Sequence, residues 1–463
     1  MNCHLICLTI TTTMAAVAMS CSGAKSMHNV HTMSGTTMSP LSPFTQVTLE
    51  NGLEVIVKEV HSAPIVAVYL WCKTGSTNEN EHDQGISHFY EHMFFKGTEK
   101  RGVGEIDRAI KSLGGYNNAF TSNEYTAYYV VLPSENFVLA ADILVDAIRN
   151  SNFIEEEIRK ELGVITEEIN RKEDDPNGTI YEEMFSLMFA GTPYAHPVLG
   201  SKESVSRLTR EDFRNYLSKF YVPNNMTAVI VGDVHTKDAI RELRKLTADW
   251  KPNPVVGDYV PAFDVVNKKG IRGFTLEKDV NMSYVMMAFQ TSGLADDREN
   301  AVLDAVSSIL GEGRSSRLYQ RLVEKDQIAS SVQAYIYPLK KMGLFVVYGT
   351  MDRMNVQNFR AAVIEEIEKL RNEPPGAGEL DKAKTMLKAD YQFSNETDSD
   401  IAQTLGHYQT LGILDRAIIY EQSINAVTVE EIRKYADEIL DPASYSIGII
   451  NQRIPTEKEV SGE

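Results

Sequence analysis

The sequence predicts an α+β fold of two tandem homologous domains, each a mostly antiparallel sheet packed with α-helices. Three features point to it. The order strand, strand, helix occurs twice, about 215 residues apart, and a repeat of that length is a duplicated domain, not a solenoid unit. Strand runs are mixed with long amphipathic helices without regular alternation, which favours an α+β sandwich over a doubly wound sheet. The 463 residues, 43% hydrophobic and 24% charged, suffice for two cores.

The chain opens on Leu5 to Met19, an apolar run diluted by threonines and ending Ala18-Met19-Ser20-Cys21-Ser22-Gly23. Small residues before a cysteine resemble a bacterial lipoprotein signal. This predicts a signal peptide over residues 1–20, lipidation of Cys21, and a body facing the periplasm in the bacterial cell envelope, in contact with the membrane only through its lipid. Residues 21–46, rich in Ser, Thr, Met and His without periodicity, read as a flexible tether, with the body beginning near Phe44. Nothing further along has the eighteen or so uninterrupted apolar residues of a spanning helix.

The first domain is predicted over residues 47–250. Thr48 to Val57 and Ile65 to Cys72 read as strands, followed by the turn Lys73-Thr-Gly-Ser-Thr-Asn, a helix from about Gly85, strands at Asn118-Ala119 and Tyr125 to Leu132, and an acidic helix from Phe153 to Ile169. A Pro-rich linker spans 251–268. The second domain, 269–455, repeats the series with Phe274 to Leu276, Tyr284 to Phe289, the turn Gln290-Thr-Ser-Gly-Leu, a helix, Gln333-Ala334, and Gly343 to Gly349; residues 456–463 are a tail.

Composition narrows the function. Lys plus Arg number 46 against 64 Asp plus Glu, a formal charge of −18, which argues against nucleic acid as a partner. Three of the four cysteines lie in the first 21 residues and leave Cys72 alone, so there is no disulfide framework. Neither a Walker A string nor a nucleophile elbow occurs.

The chemistry concentrates in His88-Phe-Tyr-Glu91-His92. On a helix, positions i and i+4 share a face, so two imidazoles can reach one ion. Glu91 sits beside them, placed to take a proton from a water held by that ion. The order is the reverse of H-E-x-x-H. A catalytic zinc needs a third protein ligand and an open fourth position. Downstream, Glu161 and Glu168 are seven apart, hence on one helix face, with Glu167 turned about 100° away. One carboxylate can bind the metal and the other can orient a ligand; spacing alone does not choose between them.

His88-Phe-Tyr-Glu91-His92, followed after 75 residues by Glu168, resembles the pitrilysin/insulinase family of inverted-motif zinc metallopeptidases. Gly114-Gly115-x-x-Asn118-Ala119-x-Thr121, Pro193 to Gly200 and Tyr221 to Asp233 are similar to further landmarks of that family, and the matches run from about residue 46 to 450. The length resembles the short branch of bacterial processing-type peptidases and the mitochondrial processing peptidase beta subunit. The resemblance implies one Zn2+ per chain on His88, His92 and Glu168, Glu91 as general base, Glu161 behind a ligand, and a peptide substrate added as a strand at Asn118 and Ala119. It also implies a chamber closed by a second pair of domains, from a homodimer or from a heterodimer with a related non-catalytic chain. Many relatives grip substrate with an Arg and a Tyr seven apart in the second half; here Val323 and Ser330 fall there, and Ala305, Ser308 and Ile309 fall opposite His88, Glu91 and His92. A zinc endopeptidase is the expected function. The alternatives are a non-catalytic scaffold of the same fold and a peptidase devoted to one short peptide.

Overall fold

β-Branched and aromatic runs pair into two sheets that repeat one plan. The first contains β1 (Asn29–His31), β2 (Phe44–Thr48), β3 (Glu54–Glu59), β4 (Ile65–Cys72), β5 (Tyr116–Thr121), β6 (Thr126–Pro133) and β7 (Met226–Gly232), in the order β1-β2-β3-β7-β4-β6-β5. The second contains β8 (Arg272–Lys278), β9 (Ser283–Thr291), β10 (Ser331–Pro338), β11 (Gly343–Met351) and β12 (Ser446–Gln452), in the order β10-β11-β9-β12-β8. Reading β3-β7-β4-β6-β5 against β8-β12-β9-β11-β10 superposes the two orders, and each has one parallel pair, β3 with β7 and β12 with β8. The computed structural model describes residues 29–31, 39–254, 263, 269–373 and 375–453.

The helices repeat only in part, eight in the first half and six in the second among the described residues. In the first half they are α1 (Ile86–Phe94), α2 (Glu105–Ser112), α3 (Phe137–Asn150), α4 (Glu155–Asp174), α5 (Pro176–Met188), α6 (Lys202–Ser206), α7 (Arg210–Phe220) and α8 (Thr236–Leu246). In the second they are α9 (Asp297–Gly311), α10 (Val356–Asn372), α11 (Ala377–Phe393), α12 (Asp398–Leu411), α13 (Leu414–Asn425) and α14 (Val429–Ile439).

Strand β4 is apolar on both faces because both are covered. Val66, Val68, Leu70 and Cys72 join the core under α1 and α3, while Ala67, Tyr69 and Trp71 meet Ile401, Ala402 and Leu405 of α12 and Ala417 and Ile418 of α13. Thus a helix of the second half roofs the first sheet. The reverse also holds: Ile180, Met184 and Met188 of α5 pack on Met286, Ala288, Leu344, Val346 and Ile450 of the second sheet. Each fully buried side chain of this size contributes roughly 1.5–3 kcal/mol, so the exchanged helices bind the halves firmly.

Gly406 makes one exchange possible. A Cβ there would lie 1.9 Å from Trp71 Nε1, so the indole rests on bare helix backbone. Ala is the better helix former by about 1 kcal/mol, yet Gly406→Ala is expected to destabilise the protein by roughly 1–3 kcal/mol through overpacking. Denaturant unfolding measures this; equal or higher stability would show that α12 is not seated on Trp71.

Two sequence expectations differ from the structure. Thr48 to Val57 is two strands, because Asn51-Gly52 turns the chain: Gly52 has φ +90, and Leu49 N–H donates to Leu53 O at 2.8 Å. The expected tether is partly built into the body, since Asn29–His31 pairs with β2 and Leu41 and Phe44 are 0% and 3% exposed. Main-chain pairing is indifferent to the polar composition that suggested a tether. Of the linker, Phe263 packs on Tyr194 with ring centroids 5.6 Å apart, whereas 255–262 and 264–268 lie outside the described residues, as do residues 1–20, Cys21 and the 456–463 tail. Among the described residues no helix is long and apolar enough to cross a membrane.

Candidate metal centre and active site

Helix α1 is fixed before it presents anything. Ile86, Phe89, Tyr90, Met93 and Phe94 are buried in the first core, leaving His88, Glu91 and His92 on the opposite side. The helix begins at Gly85, which has φ +91 and no capping side chain. Glu79 caps it from a distance: its Oε2 accepts from Gly85 N–H at 2.8 Å and its Oε1 from Ser87 N–H at 2.9 Å, with His196 Nε2 3.3 Å from Oε2. Burial pushes the Glu79 carboxyl up, against the pull of these donors. A carboxylate at a helix N-terminus also meets the positive end of its dipole.

The 20-residue α4 supplies the other wall. Ile158, Ile165 and Ile169 anchor it in the core, and Glu161 and Glu168 face α1. Glu168 Oε2 is 3.6 Å from His88 Nε2 and 3.6 Å from His92 Nε2. Those separations are too long for hydrogen bonds but close to the roughly 3.4 Å between two ligand atoms of one tetrahedral zinc with bonds near 2.1 Å. Glu161 Oε2 is 3.1 Å from His92 Nδ1, and its other oxygen accepts from Lys96 Nζ. Glu167 faces solvent, with Arg171 Nε 3.6 Å away.

The donor set fits zinc. His88, His92 and Glu168 place one ligand atom each within 4.8 Å of the others. A hydrogen bond from His92 Nδ1 to Glu161 would leave the Nε2 lone pair pointing at Glu168, the carboxylate–histidine arrangement that orients metal ligands. Three acceptors facing one another are relieved by a proton on His92 or by a metal cation between them. Burial opposes protonation of His92, but the Glu161 and Glu168 carboxylates prevail and push it up to about 9. Burial, then the His92 charge, hold His88 down to about 4. Its Nδ1 is buried without a hydrogen-bond partner among the described residues, unlike His92, whose Nδ1 has Glu161 behind it.

Glu91 is tied to the sheet edge. Thr121 Oγ1, at the end of β5, donates to Glu91 Oε2 at 2.6 Å, and burial raises the Glu91 carboxyl while that hydrogen bond opposes the rise. Strand β5 pairs with β6 on one side only, so Asn118 and Ala119 lie on the edge of the sheet. Ala119 N–H is bonded to the Asn118 side chain, N to Oδ1 2.9 Å. Asn118 therefore occupies a backbone donor that an added strand would use.

Sequence reasoning missed Glu79, Lys96 and the role of Thr121 toward Glu91. In the second half, Ala305, Ser308 and Ile309 lie on α9, the counterpart of α1, and no metal-ligand cluster forms there among the described residues. Val323 lies in a π-helical turn, Tyr319–Lys325, and Ser330 just before β10. A differently spaced pair stands nearby: the Arg314 guanidinium is 5.8 Å from the Tyr319 ring centroid, beside Gln333 and Ala334 of edge strand β10.

Duplicated sheet-and-helix domains with H-x-x-E-H on the first define the class of inverted-motif metallopeptidases. Residues 54–202 match the insulinase family (peptidase family M16), and residues 207–387 match the peptidase M16 inactive domain. The chain belongs to this family. An uncharacterized zinc protease of Rickettsia bellii is 30% identical over 369 residues, 79% of this chain and 87% of the relative. A probable mitochondrial-processing peptidase subunit beta of Arabidopsis thaliana is 28% identical, over 88% and 78% of the two chains. The crystal structure of a protease from Helicobacter pylori superposes with a TM-score of 0.84 at 26% identity, covering 90% of this chain and 100% of that one.

Proposed function

We propose that the chain is a zinc-dependent endopeptidase acting on peptides held as an added strand on β5. The observation that carries it is the convergence of His88, His92 and Glu168 beside a base, Glu91, that is bonded to the same edge strand. The scaffold reading has no use for Glu91 at that position. Bound zinc would supply a charge that polarises the scissile carbonyl and acidifies a water. His88, His92 and Glu168 hold it, and Glu161, itself anchored by Lys96, fixes the His92 ring. Glu91 takes the proton of the attacking water on its Oε1, Oε2 being engaged by Thr121, and passes it to the leaving amine nitrogen. Asn118 turns off Ala119 N–H to let the peptide backbone pair there, and backbone pairing is tolerant of side chains.

A second chain closes the chamber, either another copy or a related chain lacking H-x-x-E-H, and grips the peptide from the opposite wall. On an unstructured peptide of about 15 residues, chelation is expected to abolish cleavage and zinc to restore it. A related partner is expected to raise the rate, since positioning alone can be worth orders of magnitude. Chelator-insensitive cleavage would remove the zinc mechanism; full activity as a monomer would remove the second chain.

The sequence of residues 1–21 supports a lipid-anchored, periplasm-facing location. Cys21→Ala is expected to move the protein from the detergent phase to the soluble fraction; a soluble wild-type protein that retains residues 1–20 would overturn the anchor.

A further inference from the structure

We infer that the ends of β3 and β7 carry a second metal site, for a divalent transition-metal cation, built from Glu59, His61 and His235 and separate from the centre on α1 and α4. The two strands are parallel neighbours, with Glu59 in register with Gly232. Each runs out into the same short pattern: Glu59-Val60-His61 and Asp233-Val234-His235. The two acid-Val-His runs leave these neighbouring strands offset by one residue, since Glu59 pairs with Gly232 and not with Asp233, and together they gather two carboxylates and two imidazoles at one corner of the sheet.

The geometry has the spacing of a coordination shell. Glu59 Oε2 is 3.2 Å from His61 Nε2 and 3.8 Å from His235 Nδ1, around the roughly 3.4 Å expected between ligands of one tetrahedral ion. One ligand atom from each of the three residues lies within 4.8 Å of the others. The atoms facing away are already engaged. His61 Nδ1 is 2.7 Å from Asp233 Oδ1, Glu59 Oε1 accepts from Thr236 N–H at 2.8 Å, and Asp233 Oδ2 accepts from Ser134 Oγ at 3.3 Å. Asp233 thus stands behind His61 as Glu161 stands behind His92, which fixes the ring and turns its other nitrogen toward the shared carboxylate. The backbone beneath is held too: Val60 N–H donates to Gly232 O at 2.9 Å and Asp233 N–H to Ile65 O at 2.8 Å. His235 immediately precedes α8 without capping it by a side-chain hydrogen bond, so capping does not explain its ring.

The side chains of His61 and His235 are 49% and 78% exposed, so remaining positions on the ion would be taken by water. Two nitrogens and a carboxylate suit Zn2+, Ni2+ or Cu2+ and not Ca2+ or Mg2+, which prefer all-oxygen shells. An ion there would pin the exits of two core strands to the start of α8. The competing occupant is a proton on His61, bridging Glu59 and Asp233 as a simple ion pair and leaving His235 idle.

Equilibrium dialysis of the full chain against Zn2+ or Ni2+, followed by elemental analysis, separates these. The wild type is expected to take two equivalents, His88→Ala/His92→Ala one, His61→Ala/His235→Ala one, and the fourfold variant none. Ni2+ should raise the Tm of the His88→Ala/His92→Ala chain but not of the fourfold variant. His235→Ala alone, a change at an exposed side chain, is expected to weaken the second equivalent at least tenfold. Saturation of the wild type at one equivalent, a His88→Ala/His92→Ala chain that binds no metal, or a second equivalent undiminished by His235→Ala would each overturn the site.

Discussion

Glu91→Gln is expected to retain the zinc held by His88, His92 and Glu168 while turnover falls by roughly 10²–10⁴-fold, the range for loss of a general base. The substitution keeps the volume of the side chain, and the Gln carbonyl oxygen can still accept from Thr121 Oγ1, which now donates to Glu91 Oε2 at 2.6 Å. What disappears is the oxygen that receives the proton. None of the three converging donors, His88, His92 and Glu168, is touched, so metal content measured on the same preparation should match the wild type. Wild-type turnover in a sample free of other peptidases would remove Glu91 from the role.

The second large effect separates the two acids of α4, which are equivalent by spacing alone. Glu168→Gln and His88→Ala are each expected to lose metal and activity together, because each deletes one of three donors. Glu161→Gln keeps all three and is expected to weaken zinc binding by about 10- to 100-fold, the usual cost of losing a carboxylate behind a ligating histidine. The pH dependence carries the same distinction. Without metal, His92 is protonated up to about 9, whereas ligation requires it neutral, so a proton competes with zinc at every lower pH. Zinc affinity should therefore rise by about tenfold per pH unit and level off near that value when one proton is displaced. Removing Glu161 takes away a carboxylate that raises His92, so in Glu161→Gln the levelling should come at lower pH. Metal titrations at several pH values read both; equal affinities for Glu161→Gln and the wild type across the range would show that Glu161 does not act through His92.

The chemistry was legible in the sequence because it is local. His88 and His92 are one helical turn apart, and Glu161 and Glu168 two turns apart, so a period of 3.6 residues places them on faces without any knowledge of the fold. The duplication was legible for a similar reason, since the apolar runs of the strands recur in order. What escaped depends on contacts far apart in the chain. Lys96 and Glu161 are separated by 65 residues and Thr121 and Glu91 by 30, and no periodicity links them. Glu79, six residues before Gly85, reads as one more loop acid until its carboxylate is seen to cap α1. Asn51-Gly52 is a turn signal, but it sits inside an apolar run whose pattern continues on both sides of it. Helix exchange leaves no trace in pattern, because the apolar residues that α5 and α12 bury read the same whichever sheet they cover.

The exchange of α5 and α12 has a bearing on how such a chain can be taken apart. Each half exposes its own sheet unless the other half is present: Tyr69 and Trp71 would lose Ile401, Ala402 and Leu405, and Met286 and Ala288 would lose Ile180 and Met184. Neither half is a self-sufficient unit, although each repeats the whole plan of the other. A proteolytic nick in the connecting segment should therefore leave an intact body held by fragment complementation, whereas either fragment expressed alone should aggregate through its bared sheet face. Two such halves on separate chains would each need the other's helix to cover its sheet.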